Sequence, residues 1–552
     1  MLLSPDASIP VNGVLFDYVS GSTVSFLRLK HKDKTVAENN YKDFVGLMNY
    51  TKSMLRGYFS CSTLFNAFQE EADGKFLFEN NKLGHVFTYS DSGGLQAARR
   101  NMEINNDLKE RIYTVQHKYS DIAMTFDEMP FRNIAANSGK AIVGTTSRCY
   151  VRDLIKSSAE HSATHIIKQI EVFDSLQSNT KIVPIIHGFR PSAKYFRGES
   201  DNTYVDYAKY MFDKIDNSSH HIHGLSIASL TAHPDNRVGI LKVLDYVPRT
   251  LASRDIPHEN LEHVHLLGLA SPQRILPVIS LVKHGLIDPR VKRISFDSTA
   301  ITKAYTMGRV FKNYDEIKNP EKNKYYHPEL TLQNFRDPNA KNVRQYYQQV
   351  HKYFHKYENY PFSSWEDLAS HSPNNGDRRP AGEQMKSNGR DFELKFLAQI
   401  RICCVYQTFV YLDTLERYIC GDLSIDDIVY YNDDIAAIYH DIERNATNMH
   451  DIFEIVEKHY HKVRAQIDNS VDTLEQFDLE YAKATTIHTK GHEETNVLFC
   501  DVGIEKAVDT VKNLKTHQYE MTRGRTNFKR TVRKAHNDIN NIVAKDITNS
   551  LF

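Results

Sequence analysis

A single tryptophan, six cysteines and no excess of charge in either direction set the first limits on this chain of 552 residues. The cysteines have no regular spacing, which excludes a disulfide framework and points to a reducing compartment. Lys+Arg and Asp+Glu both total 69. Bulk charge therefore announces no nucleic-acid binder, and any basic surface has to be local. No apolar run approaches the roughly 18 residues of a membrane span. The opening MLLSPDASIPVNG also lacks the basic start and long apolar stretch of a secretory signal. The expectation is a soluble cytoplasmic protein with no membrane partner. Missing too is a GxGxxG turn after the first strand-like run, which speaks against a dinucleotide-binding sheet.

What is present is an alternation. Between about residues 80 and 311, short apolar runs (VFTYS, IAMTF, AIVGTT, IVPII, IHGLSIA, HVHLLGLA and VKRISF) are separated by helix-length amphipathic stretches such as 151–176 and 271–284. That pattern predicts βαβ units and a parallel sheet. With one more strand near the N-terminus, the count fits an α/β fold of the (β/α)8 barrel type. An open doubly wound sheet is the alternative, because periodicity does not report closure. After residue 311 strand-like runs largely cease. Helical spacing returns over 392–415, 434–445, 452–477 and 504–547. The division read from this is a barrel over 1–315 and a mostly helical domain over 316–552.

Two aspartates close apolar runs in a telling way. Asp91 ends HVFTYSD and precedes Ser92-Gly93-Gly94-Leu95-Gln96, and Asp297 ends VKRISFD and precedes Ser298-Thr299-Ala300. A carboxylate at a strand end can face a ligand at a barrel rim, and neighbouring glycines let that ligand approach the backbone. Each also has a plainer reading, Asp91 as a turn former and Asp297 as a helix cap. Three further segments have the same strand-end character: Met124–Glu128, Ile185–Gly188 and Ile222–Ser226. The histidines His220, His221 and His223 invite a metal. Consecutive strand residues point to opposite faces, so no metal is expected there. Cys403, Cys404 and Cys420 fall on a predicted helix and read as core residues.

Taken in order, DSGG-x-Q, FDE, an apolar run ending His-Gly, Gly-Leu, LLGLASP and FDS resemble the tRNA-guanine transglycosylase superfamily. The resemblance covers residues 85–311. It departs from the tRNA enzymes in three ways. The CxCxxC zinc motif is absent, His187 replaces a glutamine, and Ile301-Thr302-Lys303-Ala304 replaces the LPTRNAR that follows the nucleophile. These departures are similar to the branch that installs 7-deazaguanines in DNA of phage and bacteria, which would place the protein in a host cytoplasm.

The resemblance implies the following roles. Asp297 is the nucleophile that forms a glycosyl-enzyme bond and Asp91 the general acid/base. Asp127 accepts from the N1–H and N2–H edge of guanine. His187 and the N–H groups of Gly188, Gly224 and Leu225 read O6 and the 7-substituent. Leu95 and Leu267 sandwich the base, with Gln96 beside them. A stacked nucleotide must be flipped out to reach such a pocket. No cofactor is called for. The partners are nucleic acid, DNA before tRNA, and a free 7-deazaguanine base such as 7-cyano-7-deazaguanine. A basic stripe with Arg523, Arg525, Lys529, Arg530, Arg533 and Lys534, interleaved with Tyr519 and Phe528, suits a phosphate backbone. Its plainer reading is a solvated helix face. The rival functions are the same exchange on tRNA, a non-catalytic nucleic-acid-binding subunit, and a glycosidase that hydrolyses the N-glycosidic bond.

Overall fold

The computed structural model describes residues 9–21, 47, 50–68, 75, 87–93, 105–128, 148–188, 203–215, 219–228, 230, 236–269, 272–298, 348, 350–356, 390–429, 433–467, 487–488 and 495–496. Besides an antiparallel pair at Ile487–His488 and Thr495–Asn496, its strands are β1 (Leu15–Gly21), β2 (Phe59–Asn66), β3 (Thr88–Asp91), β4 (Ile122–Met124), β5 (Lys181–Val183), β6 (Ile185–Ile186), β7 (Leu225–Ile227), β8 (His263–Leu266) and β9 (Arg293–Ser298). These nine form one sheet in the order β5-β4-β3-β2-β1-β9-β8-β7-β6.

The two ends of that order are one passage of chain, divided only by Pro184. Proline cannot donate to a ladder, so the strand is interrupted there. Its carbonyl still accepts from Ser226 N at 2.7 Å. On one side this passage pairs in parallel with β4, on the other with β7. The order therefore closes on itself, and the fold is an α/β barrel of the TIM type rather than an open sheet. The N-terminal part supplies two strands, β1 and β2, where the sequence pattern showed one. The run at 141–146, read as a strand, lies outside the described residues.

The helices are α1 (Asn106–Tyr119), α2 (Arg148–Ser175), α3 (Thr203–Phe212), α4 (Asn236–Leu251), α5 (Pro272–Lys283), α6 (Arg390–Ile419), α7 (Ile425–Ile428), α8 (Asp433–Asn445) and α9 (Met449–Ile467). The helical spacings read at 151–176, 271–284, 392–415 and 434–445 appear, the one at 452–477 is described as far as Ile467, and the stretch at 504–547 lies outside the described residues. Among the described residues no helix is long and apolar enough to cross a membrane.

The chain divides into two compact units. One comprises Met1–Phe65, Glu70–Tyr89 and Asp297–His440, the other Asn66–Gln69, Ser90–Phe296 and Asp441–Phe552. In the first, β1 and β2 pair so that Phe16 faces Phe59 and Tyr18 faces Cys61. That face is apolar and receives α6, with the Tyr18 and Tyr411 rings 5.6 Å apart. The alternate face is polar. Asp17 is buried there and accepts Ser62 Oγ at 2.8 Å and Tyr89 Oη at 3.1 Å. Strand alternation alone produces this division. Cys61 lies on the apolar side, and burial pushes its thiol far up, so it stays a neutral core residue.

In the second unit α1 starts at an Asn105 cap whose side chain accepts Leu108 N at 2.9 Å. It buries Leu108, Ile112, Tyr113 and Val115. The small residues Ser158, Ala159, Ser162 and Ala163 are fully buried on α2, which packs on α1 and α3. Helix α9 packs on α4, where the Arg249 guanidinium lies 3.7 Å from the centre of the Phe453 ring. Strand neighbours Ser226, His265 and Ser295 align in register and are fully buried, while Ile227, Leu266 and Phe296 take the other face.

Candidate active site

Within the second unit, several strand-end residues stand at the carboxyl ends of their strands. Asp91 is the last residue of β3, Asp127 follows β4 by three residues, His187 follows β6 directly and Leu267 follows β8 directly. Each position has a local cause. The Asp91 carboxylate accepts Asn66 Nδ2 at 3.0 Å and the N–H of Gly93 at 3.1 Å. The second bond is the aspartate turn of the plainer reading, and both bonds fix the carboxylate's orientation. Gly93 has φ +80°, and a Cβ there would fall 2.4 Å from Phe68 Cβ. Both conditions demand glycine. Ser92 Oγ donates to Thr125 O at 2.9 Å, tying the end of β3 to the end of β4.

Asp127 and His187 are brought together, Oδ2 to Nε2 at 2.5 Å, and both are largely buried. A carboxylate so placed orients the imidazole. The loop carrying Asp127 is anchored from two helices. Ser162 of α2 accepts Glu128 N at 2.7 Å, and Tyr207 of α3 donates to Glu128 O at 2.9 Å. Ser162 Oγ and Tyr207 Oη are 2.6 Å apart. Burial raises the Tyr207 hydroxyl well above its ordinary pKa, so it remains a donor. The Tyr207 ring also stands edge-on to His187, centroids 5.8 Å apart.

Sequence reasoning missed Asn66, Ser162 and Tyr207. None sits in a strand-end motif, and their only signal was a polar side chain on an otherwise buried helix or strand face.

Gly188, Gly224 and Leu225 each have a local packing role. A Cβ on Gly188 would fall 2.3 Å from the Tyr204 ring and 2.7 Å from Tyr204 N, so close packing of α3 explains that glycine. Gly224 precedes β7 and Leu225 begins it, at the amino end of that strand. A Cβ on Gly224 would lie 2.3 Å from His263 O, and Leu225 is fully buried. The absent side chain at Gly224 makes room for β8.

In the first unit Asp297 is 4% exposed, two residues beyond Ser295 and therefore on the same face of β9. Its charge contributes to raising the Tyr18 hydroxyl, after burial and Cys61. Leu95, Gln96 and the stripe of Arg523, Arg525, Lys529, Arg530, Arg533 and Lys534 lie outside the described residues.

Cys404 is buried on α6 and Cys420 is exposed just beyond its end. Among the described residues only Asp174, His220 and His221 cluster as metal-ligating groups.

No protein-family model matches the chain, and no curated protein matches it.

Proposed function

We propose that this protein exchanges guanine in DNA for a free 7-deazaguanine by a double displacement at C1′. Asp297 attacks C1′ as the C1′–N9 bond breaks, through an oxocarbenium-like state that its negative charge stabilises. Asp91 gives a proton to the departing guanine and then takes the N9 proton of the incoming base. That base attacks C1′ and releases Asp297, so configuration is retained. Asp127, oriented with His187, accepts from the N1–H and N2–H edge of the base.

The observation that carries the reading is the ordered set of strand ends. Asp91, Asp127, His187, Leu267 and Asp297 fall at or just beyond the carboxyl ends of β3, β4, β6, β8 and β9. In barrels of this type those ends carry the chemistry. DNA is preferred to tRNA because the text after Asp297 and the missing CxCxxC both depart from the tRNA enzymes.

The intermediate is the direct test. Incubation with guanine-containing DNA, a denaturing quench and intact-protein mass spectrometry should reveal a DNA adduct on the native chain and none on Asp297→Asn. An adduct that persists in the variant would remove Asp297 from the mechanism. An adduct formed with tRNA alone would change the substrate.

A further inference from the structure

The amino-end loops of the second unit hold a second cluster of chemistry-bearing groups. Asp174 lies in the last turn of α2, and His220 and His221 lie in the turn that leads to β7. The two histidines are therefore outside any strand, and strand alternation does not separate them. Their ring centroids are 3.9 Å apart. One ligand atom from each of the three residues lies within 4.8 Å of the others.

The His221 ring is buried, with Phe173 edge-on at 5.6 Å. Its Nδ1 is 3.2 Å from Thr180 O. A carbonyl only accepts, so Nδ1 carries the hydrogen. The Nε2 atom then directs its lone pair at Asp174 Oδ1, 3.1 Å away. Two electron-rich atoms at that separation require a cation between or beside them, either a proton or a metal ion.

We propose that Asp174, His220 and His221 bind a divalent transition-metal ion of the zinc class. Two imidazoles and one carboxylate form a three-residue donor set for zinc, with a fourth position for water. A metal-bound histidine that gives its other N–H to a backbone carbonyl is the usual supporting arrangement. His221 already has it. Bonds of about 2.0–2.1 Å need ligand atoms roughly 3.4 Å apart, so exposed Asp174 and His220 swing inward while buried His221 stays. The Lys181 ammonium is held off by its bond to His220 O at 2.8 Å. The ion joins the end of α2 to the entry of β7. This is the amino face of the barrel strands, where residues serve stability rather than catalysis. The site is independent of the exchange reaction.

The test uses the full chain, stripped with chelator and titrated with zinc alone, beside a His220→Ala/Asp174→Asn double variant. Both substitutions are at exposed positions, so the variant should keep the native far-UV circular dichroism. The wild type should take up about one zinc equivalent more than the variant, with a zinc-dependent rise in Tm that the variant lacks. Equal uptake and an equal thermal response in the two proteins would overturn the proposal.

Discussion

Two serines on strands either side of one histidine should respond oppositely to the same substitution. Ser226 and Ser295 both align with His265 in the sheet, and both are fully buried. Ser295 Oγ lies 2.8 Å from His263 Nε2 and 2.8 Å from His265 Nδ1. A hydroxyl donates once and accepts from the other side, so it satisfies one bare nitrogen and one N–H together. Burial holds His263 well below its ordinary pKa. Ser226 Oγ has no hydrogen-bond partner among the described residues. Ser295→Ala removes two net hydrogen bonds of about 1 kcal/mol each and takes a partner from two buried nitrogens, so the expected loss is about 2–4 kcal/mol. Ser226→Ala deletes a buried hydroxyl that already lacks a partner, and the expected change runs from zero to a gain of about 1 kcal/mol. Urea unfolding at pH 8, followed by far-UV circular dichroism, reads both as midpoint shifts at constant slope. Equal midpoint shifts for the two variants would refute the reasoning.

Acid should weaken the fold through its buried histidines. Burial, with help from Lys109, lowers His165 to about 4 against the opposing pull of Asp127. A depressed folded pKa gives stability that is full above pH ~6.5 and lost as pH falls towards 4. That amounts to roughly 3 kcal/mol for His165, and His165→Asn should flatten the pH dependence of the urea midpoint. Gly224→Ala drives a Cβ against the His263 carbonyl and should cost about 2 kcal/mol or more. Gly239→Ala, in α4 with open space around it, should instead gain about 0.5–1 kcal/mol, and thermal melts separate the two signs. In the first unit, Glu416 accepts Arg56 N at 2.6 Å and Tyr58 N at 2.7 Å. Glu416→Gln sets an amide donor against one of those donors and should cost about 1.5–3 kcal/mol by urea denaturation. Asp422→Asn breaks only the exposed Arg56–Asp422 pair and should cost under about 1 kcal/mol.

The later strands of the barrel were plain in the text because short apolar-rich runs alternate there with helix-length stretches, although Ser226, His265 and Ser295 interrupt them. The amino-terminal strands were not. Asp17, Ser60 and Ser62 interrupt the apolar pattern of β1 and β2, and only the fold supplies their hydroxyl partners. Closure was invisible for a similar reason, since Pro184 splits one passage into two and periodicity carries no information about which strands meet. Asp91, Asp127, His187 and Asp297 could be named because acidic and imidazole groups at strand ends stand out. The Asp127–His187 bond could not, because it joins residues sixty positions apart. The close packing of Gly188 against Tyr204 and of Gly224 against His263 was not legible, because it joins separate elements. Nor was it legible that the His220–His221 pair precedes β7, outside any strand.

Base exchange itself is the most direct measurement. Purified protein would be offered duplex DNA, single-stranded DNA and tRNA, each with 7-cyano-7-deazaguanine, followed by nucleoside mass spectrometry, with Asp297→Ala as the control. Incorporation into DNA that is lost in the variant is the expected result. Incorporation into tRNA alone, into DNA equally by the variant, or into no nucleic acid would contradict it.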